Sequence, residues 1–452
     1  VRYTSTRGGA PELGFADVLV HGLAPDGGLY VPVRWPRLAQ GWDRPRPYEQ
    51  VALDVAAAYV GEAVAPDELE AMVVEAYAGF DHPEVCPLVE LGDGLWLLEL
   101  FHGPTLAFKD VALQLVGRLL DHELSRRGQR ATIVVATSGD TGSAAIEACI
   151  GRSSLDIVVL HPAGRVSDVQ RRQMTTVDAP NVHNVAIEGT FDDCQDLVKA
   201  LFADAGLRDR VGLAAMNSIN WARVMAQIPY YVRTTAALGR CSFAVPTGNF
   251  GNVYSGWVAQ RMGAPIEQLV IGSNYNDILV RWLKRGELVA EQVVPTISPS
   301  MDIQVASNHE RLLFELLGRD GAAVAELMQR FRVTGSVEVP RDDRFDAAAL
   351  DDDATRAVIA EVYERTGRLV DPHTAVGIGA ARRCRRGTDV PMVCLATAHP
   401  AKFPDAVQAA TGVRPEAPPR LAALADRPER CELLPAELDA VRAHVEACYS
   451  SA

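Results

Sequence analysis

The chain opens on mixed polar and apolar residues and then settles into regular periods. Apolar side chains recur every three to four residues from Tyr48 to Val60 and from Asp67 to Tyr77, which predicts two helices. From Leu95 short β-branched runs take over, each followed by a helical pattern. Leu95–Leu100, Ala131–Ala136, Asp156–Leu160 and Val182–Ile187 read as strands. The helices between them start at Lys109, Ser143, Asp168 and Phe191, with Thr190 placed as the N-cap of the last. Asn217–Asn220 precedes one long helix running through Tyr231, and a second series then begins. It comprises strands over Ser242–Pro246, Leu269–Ile271 and Pro391–Ala396, and helices over Val253–Met262, Asp277–Lys284, Asp351–Arg365 and His373–Arg383, with two more near 308–318 and 322–332.

Strand–helix alternation over so long a stretch requires a mostly parallel sheet covered by helices on both faces. Two series predict an α/β fold of two doubly wound open-sheet subdomains with a cleft between them. The expected units are a small N-terminal one over 1–88 and a core over 89–452, whose subdomains span about 89–240 and 241–452. The tail beyond Ala417 is rich in Pro, Ala and Glu and reads as helical over Pro435–Cys448.

Composition narrows the partners. The 452 residues carry a formal charge of -14, which argues against a nucleic-acid or anionic-membrane surface and leaves small molecules. The eight cysteines are scattered without a C-x-x-C pair, so no zinc or thioredoxin-type motif is present and no metal is expected. That pattern fits a reducing compartment. Val1–Ala10 shows no signal-peptide pattern and no apolar run reaches the roughly 18 residues of a membrane span, so a cytoplasmic protein is expected. Lys and Arg total 44, yet only Lys109, Lys199, Lys284 and Lys402 are lysines. Arginine is the default cation here, and a lysine therefore says more.

Lys109 lies in His102-Gly103-Pro104-Thr105-Leu106-Ala107-Phe108-Lys109-Asp110, at the start of a predicted helix. An ammonium there faces the positive end of the helix dipole. A lowered pKa would give that position a purpose, because a Schiff-base lysine must be a free amine near neutral pH. Position and scarcity leave this reading level with that of a solvated helix-start lysine. Two turns lie at the C-terminal ends of strands, where open α/β sheets place ligands. Thr137-Ser138-Gly139-Asp140-Thr141-Gly142 combines hydroxyls with free backbone N–H groups and suits a carboxylate. Thr247-Gly248-Asn249-Phe250-Gly251-Asn252 brings N–H groups to one point, as a phosphate cradle does, without the G-K-[ST] of a Walker loop. Either could also be an ordinary βα turn. No G-x-G-x-x-G follows a strand, and Gly377-Ile-Gly379 sits inside a helical pattern, where it marks close packing. A nucleophilic lysine beside a phosphate cradle in one α/β protein points to pyridoxal phosphate.

H-G-P-T-x-A-F-K-D, T-S-G-D-T-G, G-N-F-G-N and A-T-A-H-P-A-K-F, in this order, resemble the threonine synthase family, among the pyridoxal-phosphate enzymes of the tryptophan synthase β-subunit fold. T-S-T-R-G-G and G-L-A-P-D-G-G-L-Y-V-P resemble the extra N-terminal segment of its longer members. The resemblance implies that Lys109 holds pyridoxal 5'-phosphate covalently, that Gly248, Asn249, Phe250, Gly251 and Asn252 bind its phosphate, and that Thr397 meets its pyridine nitrogen. It further implies that Thr137, Ser138, Asp140 and Thr141 hold the substrate carboxylate, and that Ser218, Asn220 and Arg223 clamp the substrate phosphate. The reaction implied is O-phospho-L-homoserine and water to L-threonine and phosphate, the last step of threonine biosynthesis. A sibling eliminase such as a threonine dehydratase or a phosphohomoserine phospholyase, a non-catalytic binding protein and a dinucleotide oxidoreductase are the other classes, the last disfavoured by the missing fingerprint. Asp371 reads as a helix cap with Pro372 in the first turn. Roles for His102, His399 and Lys402 stay open, as does the choice between a monomer and a homodimer.

Overall fold

In the computed structural model, which describes residues 1–137, 139–214 and 216–450, two open sheets dominate. One has six strands in the order Phe345–Ala349, Ile266–Ser273, Cys241–Pro246, Met392–Ala396, Leu95–Glu99 and Leu88–Gly92, parallel except for the last. The other has five parallel strands in the order Glu432–Pro435, Val182–Glu188, Leu155–Pro162, Ala131–Ala136 and Leu213–Ala214. Their residues are buried on both faces through the central strands, as helix-covered parallel strands require.

Sheet membership does not follow the expected division at residue 240. Leu95–Glu99 pairs with Met392–Ala396, in the second series, and Glu432–Pro435 from the tail pairs with Val182–Glu188, in the first. The chain thus passes three times between the layers. Short strands carry no mark of which neighbour they will hydrogen-bond, so a linear reading assigns them to the nearest series. The same limit hid Glu432–Pro435 in a tail read as helical, where the helix itself covers Leu438–Ser450.

The long helix expected through Tyr231 is two helices, Trp221–Met225 and Ile228–Leu238, with Pro229 in the first turn of the second. Proline has no N–H to continue the ladder and starts a helix more readily than it extends one. Thr190 is the N-cap expected, forming a reciprocal capping box with Asp193. Gly377 and Gly379 mark close packing: a Cβ on Gly379 would lie 2.3 Å from a methyl of Leu350.

The N-terminal unit is a three-stranded antiparallel sheet (Arg2–Ser5, Leu13–Gly14, Tyr30–Pro32) with helices Phe15–His21, Tyr48–Val60 and Pro66–Tyr77. Its buried Tyr3, Tyr59 and Val55 share one apolar cluster with Val111 and Leu115 of the helix that starts at Lys109 and with Trp221. It is therefore built onto the core through buried surface.

Candidate active site

The two sheets bring the Thr397–Lys402 segment, Asp140 and Arg223 to Lys109. His102–Asp110 and Thr397–Lys402 run antiparallel and clasp each other through the backbone. The Phe108 N–H donates to the Thr397 carbonyl at 2.8 Å and the His399 N–H to the Leu106 carbonyl at 3.0 Å. Between them Leu106 adopts φ 59°, a left-handed conformation that a leucine takes only where its surroundings enforce it. Lys109 is the first residue of the helix Lys109–Arg127 and is 8 % exposed.

Asp140 stands opposite. Its Oδ1 accepts from Lys402 Nζ at 2.8 Å and from Gln170 Nε2 at 2.9 Å, and its Oδ2 lies 3.7 Å from Lys109 Nζ. Burial would raise the Asp140 pKa, but Lys402 and then Lys109 overturn that and hold it well below the carboxylate range. Lys109 shifts downward: burial drives it, with Lys402 and Arg223 adding to the shift and Asp140 and Asp110 opposing it. Behind Lys109, Asp110 accepts from the Thr105 N–H and hydroxyl, both at 2.7 Å, and burial raises its pKa to about 6. Glu147 is raised to about 7 by burial and by Asp110, against Arg420 and Arg427.

An Asp140 engaged in this way does not fit the expected carboxylate-holding role. An ionised carboxylate repels another, and its Oδ1 is taken by Lys402 and Gln170. Thr137 Oγ accepts from the Gly139 and Gly142 N–H groups at 3.0 and 2.9 Å, so it shapes the loop. The expected Ser138 lies outside the described residues. Thr141 lies in the first turn of helix Asp140–Cys149.

The turn Thr247–Asn252 is braced from outside. Phe250 takes φ 64°, and Asn308 Nδ2 donates at 3.0 Å both to the Asn249 carbonyl and to the Ser218 carbonyl, so this turn and the Ser218 turn are joined. Asn252 Oδ1 accepts from Tyr230 at 2.6 Å and Tyr231 at 2.8 Å, whereas its buried Nδ2 has no partner among the described residues. A Cβ on Gly248 would lie 2.6 Å from the Ser300 carbonyl oxygen. A turn stripped to backbone, opening a helix and carrying an unused buried amide donor, fits a phosphate group. Thr397 is also buried, and its N–H donates to Thr374 Oγ at 3.2 Å. The Thr374 hydroxyl in turn donates to Asp371 Oδ2, which together with Oδ1 caps the helix Pro372–Cys384 as expected.

Arg223 and Asn220, both expected in the phosphate clamp, stand differently. Arg223 is 3 % exposed, forms no ion pair among the described residues, and its Nε has no hydrogen-bond partner there. Burial pushes its pKa down to about 10, and the group stays cationic at neutral pH. Asn220 departs from the expectation. Its Oδ1 caps the helix Trp221–Met225 by accepting from the Ala222 N–H at 3.0 Å, and its Nδ2 donates to the Leu19 carbonyl at 2.8 Å. It positions the short helix that carries Arg223.

Several contributors were missed in the sequence: Gln170, Asn308, Ser300 and Tyr230 touch site residues only through the fold. The N-terminal unit holds the helix His309–Leu316 through an Arg7–Glu310 ion pair at 2.8 Å and a bond from Arg311 Nε to the Tyr30 carbonyl at 3.0 Å. Asn308, which braces the cradle, stands at the start of that helix. Lys402 did carry a signal, being one of only four lysines.

A buried lysine and a backbone cradle in one α/β core are features of the class that uses pyridoxal phosphate, and residues 85–397 match the family model described as pyridoxal-phosphate dependent enzyme. The flanks match two further models, threonine synthase N terminus over 2–77 and threonine synthase, C-terminal, over 374–445. The chain belongs to the threonine synthase family. It is 52% identical to a threonine synthase of Pseudomonas aeruginosa over 98% of each chain, and 40% identical to that of Schizosaccharomyces pombe over 100% of this chain and 95% of the relative. A crystal structure of pyridoxal-phosphate-bound threonine synthase from Brucella melitensis superposes with a TM-score of 0.96, at 50% identity over 99% of both chains. No described helix is long and apolar enough to cross a membrane.

Proposed function

We propose that this chain converts O-phospho-L-homoserine and water to L-threonine and phosphate, with Lys109 as the cofactor-bearing base. The observation that carries the proposal is Arg223, a buried guanidinium without a carboxylate partner among the described residues, within electrostatic reach of Lys109. A buried cation is costly unless an anion comes to it, and a planar fork suits phosphate oxygens. The neighbouring cradle would take the cofactor phosphate through the backbone of Gly248, Asn249, Phe250 and Gly251 and through Asn252. Two anion sites joined through Asn308 then suit a cofactor and a substrate that each carry a phosphate.

Bound pyridoxal phosphate supplies a sink for the electron pair left when a proton departs from carbon beside the substrate nitrogen. Thr397 would meet its ring nitrogen with a hydroxyl. The substrate carboxylate would be held by the N–H groups at the start of helix Asp140–Cys149, with Thr141 and Ser138 adding hydroxyls and Asp140 acting as the counter-ion of the two lysines. The Lys109 amine, when not bonded to the cofactor, would remove a proton from Cα and then one from Cβ. Phosphate leaves from Cγ, where Arg223 and Ser218 stabilise the charge that develops on it. A proton would return at Cγ, water would add its oxygen at Cβ and a proton would return to Cα, which leaves Lys109 free to hold the cofactor again. The eight free cysteines support a reducing, cytoplasmic setting.

Product analysis with phosphohomoserine as sole substrate tests this reading. Threonine and phosphate in equal amounts are expected, with no turnover by Lys109→Ala. Release of 2-oxobutyrate would make the chain an eliminase, and full activity of Lys109→Ala would remove Lys109 from the chemistry.

A further inference from the structure

Two lysines face one carboxylate in this pocket, and they do so unequally. Lys402 Nζ stands 2.8 Å from Asp140 Oδ1 and 2.7 Å from the Thr105 carbonyl oxygen, and its side chain is 0% exposed. Those are charge-assisted hydrogen-bond distances. Lys109 Nζ is 3.7 Å from the other Asp140 oxygen, beyond hydrogen-bond range, and makes no hydrogen bond among the described residues. A wholly buried ammonium persists only with its counter-ion. Lys402 therefore holds the carboxylate, and Lys109 is left without an acceptor within hydrogen-bond range among the described residues.

We propose that Lys402 is a positioning residue for the reaction, one that claims Asp140 so that the Lys109 amine is neutral and free to react. The proposal rests on the reading of Lys109 as the cofactor-bearing lysine. The charged groups facing Lys109 come from every element around it. Asp110 lies on its own helix with Glu147 behind, Asp140 heads the next helix, Arg223 lies on the helix Trp221–Met225, and Lys402 lies on the turn Pro400–Lys402 beside His399. Asp140 is the strongest of those favouring the ammonium, and Lys402 the strongest charge opposing it. Gln170 donates to the same Asp140 oxygen as Lys402, so two donors hold the carboxylate away from Lys109. The sequence places Lys402 two residues beyond Pro400, and the clasp between the two segments carries it to Thr105.

The test uses full-length protein freed of cofactor, labelled with trace acetic anhydride across pH 6–11 and read by peptide mass spectrometry, where four lysines give four separable signals. Exposed Lys199 serves as reference. Lys109 is expected to label with a midpoint below that of Lys199. In Lys402→Met the Lys109 midpoint should rise by about one unit, roughly a tenfold drop in labelling rate at pH 8. In Asp140→Asn it should fall. Opposite signs are what charge competition requires, whereas a merely structural role moves both variants the same way and would overturn the proposal, as would an unchanged midpoint in Lys402→Met. If Lys402→Met fails to fold, Asp140→Asn decides, because a midpoint that stays or rises there is equally fatal. Borohydride reduction of the cofactor-loaded protein separates the underlying reading: a pyridoxyl group on any lysine other than Lys109 removes that reading, whatever the labelling shows.

Discussion

The two turns proposed to take ligands, Thr137–Gly142 and Thr247–Asn252, each follow a strand and lead into a helix, yet they are built in opposite ways. The second is a neutral device. Its shape is held by Asn308, Tyr230 and Tyr231 through uncharged hydrogen bonds, and it offers backbone N–H groups whose donor strength does not change with pH. The first is a charged device, in which Asp140 joins Lys402 and Lys109, with Asp110 and Glu147 behind them. A cofactor phosphate has to be held through every step and across conditions. A base has to gain and lose a proton. Neutral donors suit the former, and balanced buried charges suit the latter, because each charge alters the ionisation of its neighbours.

The largest expected effect comes from removing the cation that is left unmatched between these regions. Arg223→Met should cost about a hundred- to a thousandfold in kcat/KM for phosphohomoserine, the range for truncating one partner of a buried charge pair. Its melting temperature should hold or rise, because an uncompensated buried charge is lost. Steady-state kinetics and calorimetry on one preparation check both. A lower melting temperature with unchanged kcat/KM would make Arg223 a stability residue.

A smaller effect tests the neutral device. Gly248→Ala places a methyl 2.6 Å from the Ser300 carbonyl, a backbone atom that cannot swing away. Overpacking of about 2 kcal/mol predicts roughly thirtyfold weaker cofactor binding. Absorbance titration should show the same loss at pH 6.5 and 8.5. A loss confined to one pH would mean that the cradle is coupled to the charged pocket.

The smallest effect probes the acids. Glu147 keeps its proton to about pH 7 in the folded chain, whereas the unfolded chain releases it near the ordinary carboxylate value. The native state then binds more protons, so stability falls as pH rises through that window and is flat above it. Glu147→Gln should leave stability unchanged at pH 4.5 and raise it by about 1–2 kcal/mol at pH 8. Urea unfolding at the two pH values reads this, and a stabilisation present equally at both would exclude ionisation as its cause.

Much of this was legible beforehand where the signal is local. Strand Ala131–Ala136 and helices Tyr48–Val60 and Phe191–Ala203 have the ends that the pattern predicts, because period, cap and turn residues all lie within the segment. The same holds for the cap at Asp371 and for Lys109 at its helix start. Asn220 and Asp140 show where that reasoning stops. Their types suit a ligand, but Asn220 is committed to Leu19, 201 positions away, and Asp140 to Lys402. Nothing near either residue announces its partner.

The sequence by itself determined the elements, the turns at the strand ends and the chemical types in them, since these depend on neighbours within a few positions. Tertiary structure alone decided which strands share a sheet, which of two lysines keeps Asp140, and that Arg223 is buried with no carboxylate beside it among the described residues. Those outcomes depend on distance through space and on exclusion of water. In a low-dielectric pocket, differences of an ångström fix which group carries the charge.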